Sequence, residues 1–393
     1  MIKAGVSISK NQDTYLASRE ASKEALDKAG GAANLIIVFS SVAHNQEEVI
    51  KGIRAVSRDI PLVGCSDAGE ITTQGPDSGK IAVMALNTDK IQYSLGVGRG
   101  ADKDSFTSGK TAAQAVMSAA KIPSSLFVML SEGLAENGAA AVRGVQSVMG
   151  ENFPIMGGSA GDDFKFEKTY QYIDDKVLNN SVVGIGFSGN FSFGIGVQHG
   201  LEPIGPPMKV TKAEGAKLIE VDGRPALSIY EDYFGERAKE LTKEPITKIA
   251  YTYPLGVSVE AGSDFLIVDV VIANNKGEIT CAAEIPEGAE IRLMLGDAEK
   301  AIYAARKAAE DAKQQLNGVS PAAVIVFDCI ARQKLLGNRI REEIIAIQDI
   351  LGNNVPLIGF YGYGEQGPFP ETAGNKYYSR FHNQTLVLLV IGE

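Results

Sequence analysis

Three short loops in this chain repeat a pattern that could hold a small molecule. Each begins with a proline, two apolar residues and a glycine: PLVG at 61–64, PIMG at 154–157 and PLIG at 356–359. Six residues beyond each glycine stands an acid, Glu70, Asp163 or Glu365, and two residues beyond it stands Ser66, Ser159 or Tyr361. Glycine lets backbone N–H groups approach a ligand, so Gly64, Cys65 and Ser66, or Gly157 to Ser159, could form an anion-binding nest, with the acid answering an ammonium group. The plainer alternative is a glycine turn with a surface or capping carboxylate. The third loop adds Phe360, Tyr361 and Tyr363 among Gly359, Gly362, Gly364 and Gly367, which could make an aromatic wall with polar tips. Cys329 and Arg332 follow an apolar run, at the strand end where open α/β sheets bind ligands. Arg332 could grip a carboxylate or be an ordinary helix-start arginine, and Cys329 could be a small buried hydrophobe. His382 is either a ligand contact, a haem ligand or a structural histidine.

Other motifs fail on context. Gly184, Gly186 and Gly189 satisfy GxGxxG but run along a strand with no helix after them, and Ser108-Gly-Lys-Thr111 lacks the first glycine of a phosphate loop, having Asp104 there. Gly96, Gly98 and Gly100 have the wrong spacing for a dinucleotide fingerprint, and close approach of strand to helix accounts for them. Gly157, Ser159 and Gly161 match GxSxG, which makes a serine hydrolase the enzyme alternative; its base would have to be His199 or His382, and no acid is identified. The favoured expectation is a binding protein rather than an enzyme.

The elements that must position these loops recur three times. LIIVF at 35–39, LFVML at 126–130 and VIVF at 324–327 are buried-strand runs. A helix follows each: Asn45 and Glu48 form a capping pair before the stripe Val49, Ile53, Val56; the others carry Ala141, Val145, Val148 and Ile340, Ile344, Ile347, Leu351. Each unit is preceded by a strand and long helix, at 5–9 and 13–29, 95–97 and 103–120, 291–295 and 297–316, and is followed by strands at 81–86, 182–187 and 386–391. The short links at 87–90 and 188–190 read as hairpins into 91–97 and 191–197. The order predicts an α/β fold of repeated β-α-β-α units forming mixed sheets covered by helices. A breaker cluster, GLEPIGPP at 200–207, places a boundary between an N-terminal domain of residues 1–200 with two repeats and a C-terminal domain of 201–393 with the third at about 291–393. Residues 208–256 show no clear pattern.

At 393 residues the chain exceeds the usual size of one core. Its net charge of -10 repels phosphate backbones and anionic lipid, so neither nucleic acid nor membrane is an expected partner. Cys65, Cys281 and Cys329 are spaced neither for a disulfide framework nor for zinc, and no run reaches a membrane span, which together predict a cytoplasmic protein.

On these motifs the chain resembles the FIST family, named for F-box and intracellular signal transduction proteins. PLVGCSDAGEI at 61–71 and Gly157 to Gly161 are similar to its N-terminal part; FDCIAR at 327–332, VPLIGFYGYGEQGP at 355–368 and FHNQT at 381–385 are similar to its C-terminal part. The resemblance implies a sensory domain for a small polar ligand such as an amino acid, with haem in some relatives. It carries over Gly64, Cys65, Ser66, Cys329, Arg332, Tyr361, Gly364, Glu365 and His382 as motif positions. No kinase, cyclase or receptor segment is recognisable in these residues, so the expected recipient of the signal is a separate protein.

Overall fold

The computed structural model describes residues 1–135, 137–259, 265–369 and 377–393. Three sheets of six strands share one order. The first runs Lys3–Ser9, Ile81–Asn87, Leu35–Ser41, Leu62–Asp67, Gln171–Ile173, Lys176–Leu178; the second runs Ile91–Arg99, Ser181–Gly189, Ser124–Ser131, Ile155–Ser159, Glu365–Pro368, Ser379–His382. The third runs Ser192–Gln198, Leu386–Gly392, Pro321–Cys329, Leu357–Gly362, Glu70–Thr72, Gly75–Asp77. Four strands of each sheet belong to one repeat, and the last two are an arm reached across from another repeat. Within each sheet the two central strands are parallel and the rest pair antiparallel, so the sheets are mixed as the sequence predicts.

Both expected hairpins are corrected. Ile81–Asn87 already has Lys3–Ser9 on one edge and Leu35–Ser41 on the other, so the next strand, Ile91–Arg99, has no free edge to join and opens the second sheet. The same holds for Ser181–Gly189, whose successor Ser192–Gln198 pairs with Leu386–Gly392 instead. The strand expected before the third long helix is corrected too. Glu290–Leu295 exists, but it pairs with Leu255–Ser258 and Glu202–Glu214 in a separate sheet, and Ser192–Gln198 takes its place in the repeat. Everything between Gln198 and the helix Ala298–Gln315 is therefore an insert, with its own sheet and the helices Ser228–Phe234 and Lys248–Thr252. Its inner side chains, Tyr230, Leu241 and Ile249, are buried.

The continuous apolar runs arise because each of the three six-stranded sheets is covered on both faces. Inward residues of all three, such as Ile37, Phe39, Val63, Val128, Leu130, Ile325, Phe327 and Phe360, meet in one central cluster. Outward residues alternate with them and meet helices: Ile36, Val38 and Leu62 pack with Val49 and Ile53, while Val324, Val326 and Leu357 pack with Ala308, Ile344 and Ile347. The helix starts follow their caps. The Asn45 side chain accepts from Glu48 N and the Asn137 side chain from Ala140 N. No described helix is long and apolar enough to cross a membrane.

The repeated glycine has a packing cause, and the nest expected at Gly64 to Ser66 is corrected: these residues lie within the extended strand Leu62–Asp67. A Cβ on Gly64 would stand 2.0 Å from Val38 O, one on Gly157 1.9 Å from Met129 O, and one on Gly359 2.3 Å from Val326 O. Gly96 and Gly98 similarly let a helix close in: a Cβ on Gly96 would stand 2.4 Å from Ala112 O and one on Gly98 1.8 Å from Ser108 O. Backbone oxygens cannot swing aside as a flexible side chain can. Gly64→Ala and Gly359→Ala are each expected to lower stability by about 1–3 kcal/mol, read as a shifted urea midpoint at unchanged slope.

Candidate ligand site

The three loops meet at the ends of the parallel strands and are tied in a ring. Gly161 N donates to Ser66 O at 3.0 Å, Tyr363 N to Ser159 O at 3.1 Å, and Ala68 N to Tyr361 O at 2.8 Å. In repeat terms this is one bond made three times, from the fourth residue past the glycine in one loop to the second residue past it in the next. Tyr361 N to Gly69 O and Ser159 N to Gly364 O, each 2.8 Å, double two of the joints. At the third joint, loop residues 163–169 displace the matching carbonyl, and Ser66 N donates to Tyr170 O at 2.9 Å instead.

Beside the ring lie three equivalent clefts, each between the segment after one repeat's central strand and the next repeat's loop. One, about 330 Å³, has His44 and Gln46 facing Lys168 and Tyr170; another, about 610 Å³, has Ile330 and Gln333 facing Ala68 and Asp163. The remaining one, about 220 Å³, lies between Glu132 to Ala135 and the loop residues Ser159, Phe166 and Tyr363, with Cys329 to Ala331 and Phe381 also in its wall. Among the described residues, it alone is lined by the insert, through Ile246, Asp269, Val271, Cys281 and Ala282. The insert is held there by backbone and side-chain bonds: Asp269 N to Asn383 Oδ1 at 3.2 Å, Asn383 N to Ile267 O at 3.2 Å, and Gln384 Nε2 to Asp269 Oδ1 at 2.6 Å.

The walls are shaped by fixed side chains. Tyr363 OH donates to Asp162, which also accepts from the backbone N–H groups of Phe166, Glu167 and Lys168, and the Tyr363 and Phe166 rings stack at 4.9 Å. Glu132 accepts from Thr169 Oγ1, and from Asn180 N at 2.7 Å. Burial pushes the Asp269 carboxyl up to about 7 against the pull of Gln384. Burial likewise raises the thiols, Cys281 to about 12 and Cys329 well above its ordinary value, so both are neutral thiols at neutral pH.

The sequence candidates divide between this cavity and other places. Ser159 and Cys329 line it. Glu365 adjoins it: it is fully buried, interacts with the Cys329 thiol, and is raised by burial and then by Asp269; its Oε2 accepts from Thr385 N at 3.2 Å and its Oε1 has no partner. Gly364 gives way to the Phe381 ring, 2.2 Å from where its Cβ would be. Cys65 lies in the central core and Tyr361 in the outer cluster; of the third loop's aromatics, only Tyr363 reaches the cavity. Ser66 is spent on the ring, donating to Gly161 O at 2.7 Å and accepting from Tyr170 N at 2.9 Å. Glu70 and Asp163 sit apart from Glu365. The first accepts from Lys80 N at 2.7 Å and is raised to about 7 by burial; the second accepts from Ser41 Oγ at 2.7 Å.

Arg332 as a grip on a ligand carboxylate is corrected. Its side chain is 1% exposed, and its donors go to Asp328 Oδ1 at 2.9 Å, His199 O at 2.7 Å, Ala301 O at 3.0 Å and Glu343. Burial opposes the charge, but Glu343 and Asp328 outweigh it and raise the guanidinium pKa. His382 is buried, with Nε2 3.0 Å from Gly367 O and its ring stacked on Phe369; burial lowers it to about 4. Its Nε2 is thus turned to a carbonyl rather than to open space where an iron could sit. Ser159 Oγ is 2.9 Å from Ser131 Oγ and accepts from Gln366 Nε2 at 2.9 Å, with no imidazole partner among the described residues. Sequence reasoning missed Asp269, Phe166 and Glu132. An isolated acid inside FLIVDVVIA at 265–273 was the available signal for the first.

Residues 34–224 match the FIST N domain and residues 226–368 the FIST C domain, so the chain belongs to the FIST family. FIST domains are sensory domains of signal transduction. The chain is 25% identical to an uncharacterized protein of Mycobacterium tuberculosis over 377 residues, 93% of this chain and 95% of that one. It is 26% identical to an uncharacterized protein of Methanocaldococcus jannaschii over 346 residues, 81% of this chain and 64% of the other. Among solved structures, cyanuric acid hydrolase from A. caulinodans is similar over the full length of both chains at a TM-score of 0.41 and 10% identity, too distant to bear on activity.

Removing the buried guanidinium strands two carboxyls. Arg332→Ala is expected to cost about 3–5 kcal/mol in chemical denaturation, a global loss rather than a selective loss of ligand binding.

Proposed function

We propose that this protein is a sensor that binds a small polar molecule in the cavity lined by the insert, which forms its roof, and passes the signal to a separate signalling protein. The observation that supports this most is the asymmetry among three equivalent clefts: the insert lines one of them, and that one combines apolar walls with a few polar groups, the usual make-up of a ligand site. A volume of about 220 Å³ suits a small metabolite. Leu134, Ile246, Val271 and Ile330 supply apolar wall, and Ser159, Asp269 and Tyr363 supply groups able to fix an orientation. The amino-acid class expected from the loops fits the size. No lysine, arginine or histidine lines the cavity among the described residues, however, so a ligand carboxylate would lack a cationic partner there.

The test is a thermal-shift screen of a small-metabolite library against the wild-type protein and Ala282→Leu, which puts a larger side chain into the cavity wall. A ligand at 100 times its dissociation constant adds about 2.7 kcal/mol. A hit whose stabilisation disappears in Ala282→Leu supports the site; a hit that stabilises both proteins equally places binding elsewhere.

A further inference from the structure

Among the described residues, acids line the roofed cavity and no lysine, arginine or histidine does, and this bears on what it holds. Asp269 comes from the insert, Glu132 from the segment after Ser124–Ser131, and Glu365 adjoins Cys329, which also lines the cavity. Glu132 has its oxygens committed to Thr169, Leu134, Asn180 and Gln171. The Asp269 carboxyl accepts from Gln384 Nε2 on Oδ1, and in Glu365 the buried Oε1 has no hydrogen-bond partner while Oε2 accepts from Thr385 N. Phe166, Tyr363 and Phe381 also line the cavity, and aromatic ring faces attract cations once water is excluded.

We propose that the roofed cavity binds an organic cation without a carboxylate, a small alkylamine, with its ammonium group set against Asp269 and its alkyl part among the aromatic rings. This rests on the cavity being the ligand site. An ammonium against Asp269 adds a charged donor beside the Gln384 amide, and it turns the cost of burying a carboxylate into an ion pair. A carboxylate ligand would instead add another acid beside Asp269, which already disfavours ionisation of Glu365.

The pairing requires ionised Asp269. Burial pushes that carboxyl up to about 7; around it burial also raises Glu365, Cys329, Cys281 and Tyr230, and the other charged residues nearby are Glu132 in the lining and Arg332, whose guanidinium pulls on Glu365. Below pH 7 a proton must leave Asp269 for solvent before the cation is paired, so binding weakens as pH falls.

n-Butylamine, n-butanol and butyrate share an alkyl chain and differ in charge, and each is titrated at millimolar concentration by ligand-observed NMR and thermal shift. The expected result is binding of butylamine, about tenfold tighter at pH 8 than at pH 6, with little binding of butyrate. Asp269→Asn keeps the shape and the Gln384 contact, and should abolish both the preference for the amine and its pH dependence. Equal binding of all three probes, or unchanged butylamine binding in Asp269→Asn, overturns the charge class while leaving the cavity as the site. Butylamine that binds Ala282→Leu as well as wild type overturns the site itself, and failure of butylamine to bind at any pH overturns the proposal.

Discussion

The rest of this structure depends on one backbone hydrogen bond made three times, from the fourth residue past the repeated glycine of one loop to the second residue past it in the next. The loops Gly64 to Ala68, Gly157 to Gly161 and Gly359 to Tyr363 close on one another through it. Three bonds in a cycle are not three independent bonds, because moving one loop lengthens two of them. The glycines make the cycle possible. Each sits in a strand pressed so closely on its neighbour that a Cβ would meet a carbonyl oxygen, and that closeness brings the following residues to the common axis.

The exchanged arms follow from the same constraint. Once a loop has crossed to its neighbour's loop, the chain beyond it runs beside the neighbour's strand: Glu70–Thr72 pairs with Leu357–Gly362, Glu365–Pro368 with Ile155–Ser159, and Gln171–Ile173 with Leu62–Asp67. Each repeat therefore completes another's sheet, and no repeat has its full set of strands alone. Segments far apart in sequence carry the pairing, which explains why the first half contributes Glu70–Thr72 to a sheet built mostly by the second.

What was legible in the sequence is what a local pattern encodes. Apolar runs marked the central strands, Asn45 marked a helix start, and fixed offsets from a glycine marked the three units and their fold class. What was not legible is which edge a strand joins, since that depends on edges already occupied. The links at 87–90 and 188–190 are short enough for hairpins, and only the occupied edges of Ile81–Asn87 and Ser181–Gly189 forbid them. The insert hid the third unit's first strand behind nearly a hundred residues, so Glu290–Leu295 read as that strand by proximity alone. Of the site, Ser159, Cys329 and Tyr363 were within reach because they sit in or beside repeated motifs, whereas Asp269 comes from the insert, which repeats nothing.

Arg332 shows why a residue can stand in a family motif without touching a ligand. It follows Cys329, Ile330 and Ala331, which form part of the cavity wall, and it donates to His199 O, at the point where the chain leaves the repeat for the insert, and to Ala301 O, just after it returns. One guanidinium thus fixes both ends of the segment that roofs the cavity, and it is attached to the chain that forms the wall beneath. Neutral contacts could hold the same ends together, but they would tolerate sliding. A buried charge cannot move without exposing Asp328 and Glu343 unpaired, and the cost of doing so confines the two ends to a single arrangement. The motif position is therefore accounted for by the geometry of the roof, which requires no contact between Arg332 and a ligand.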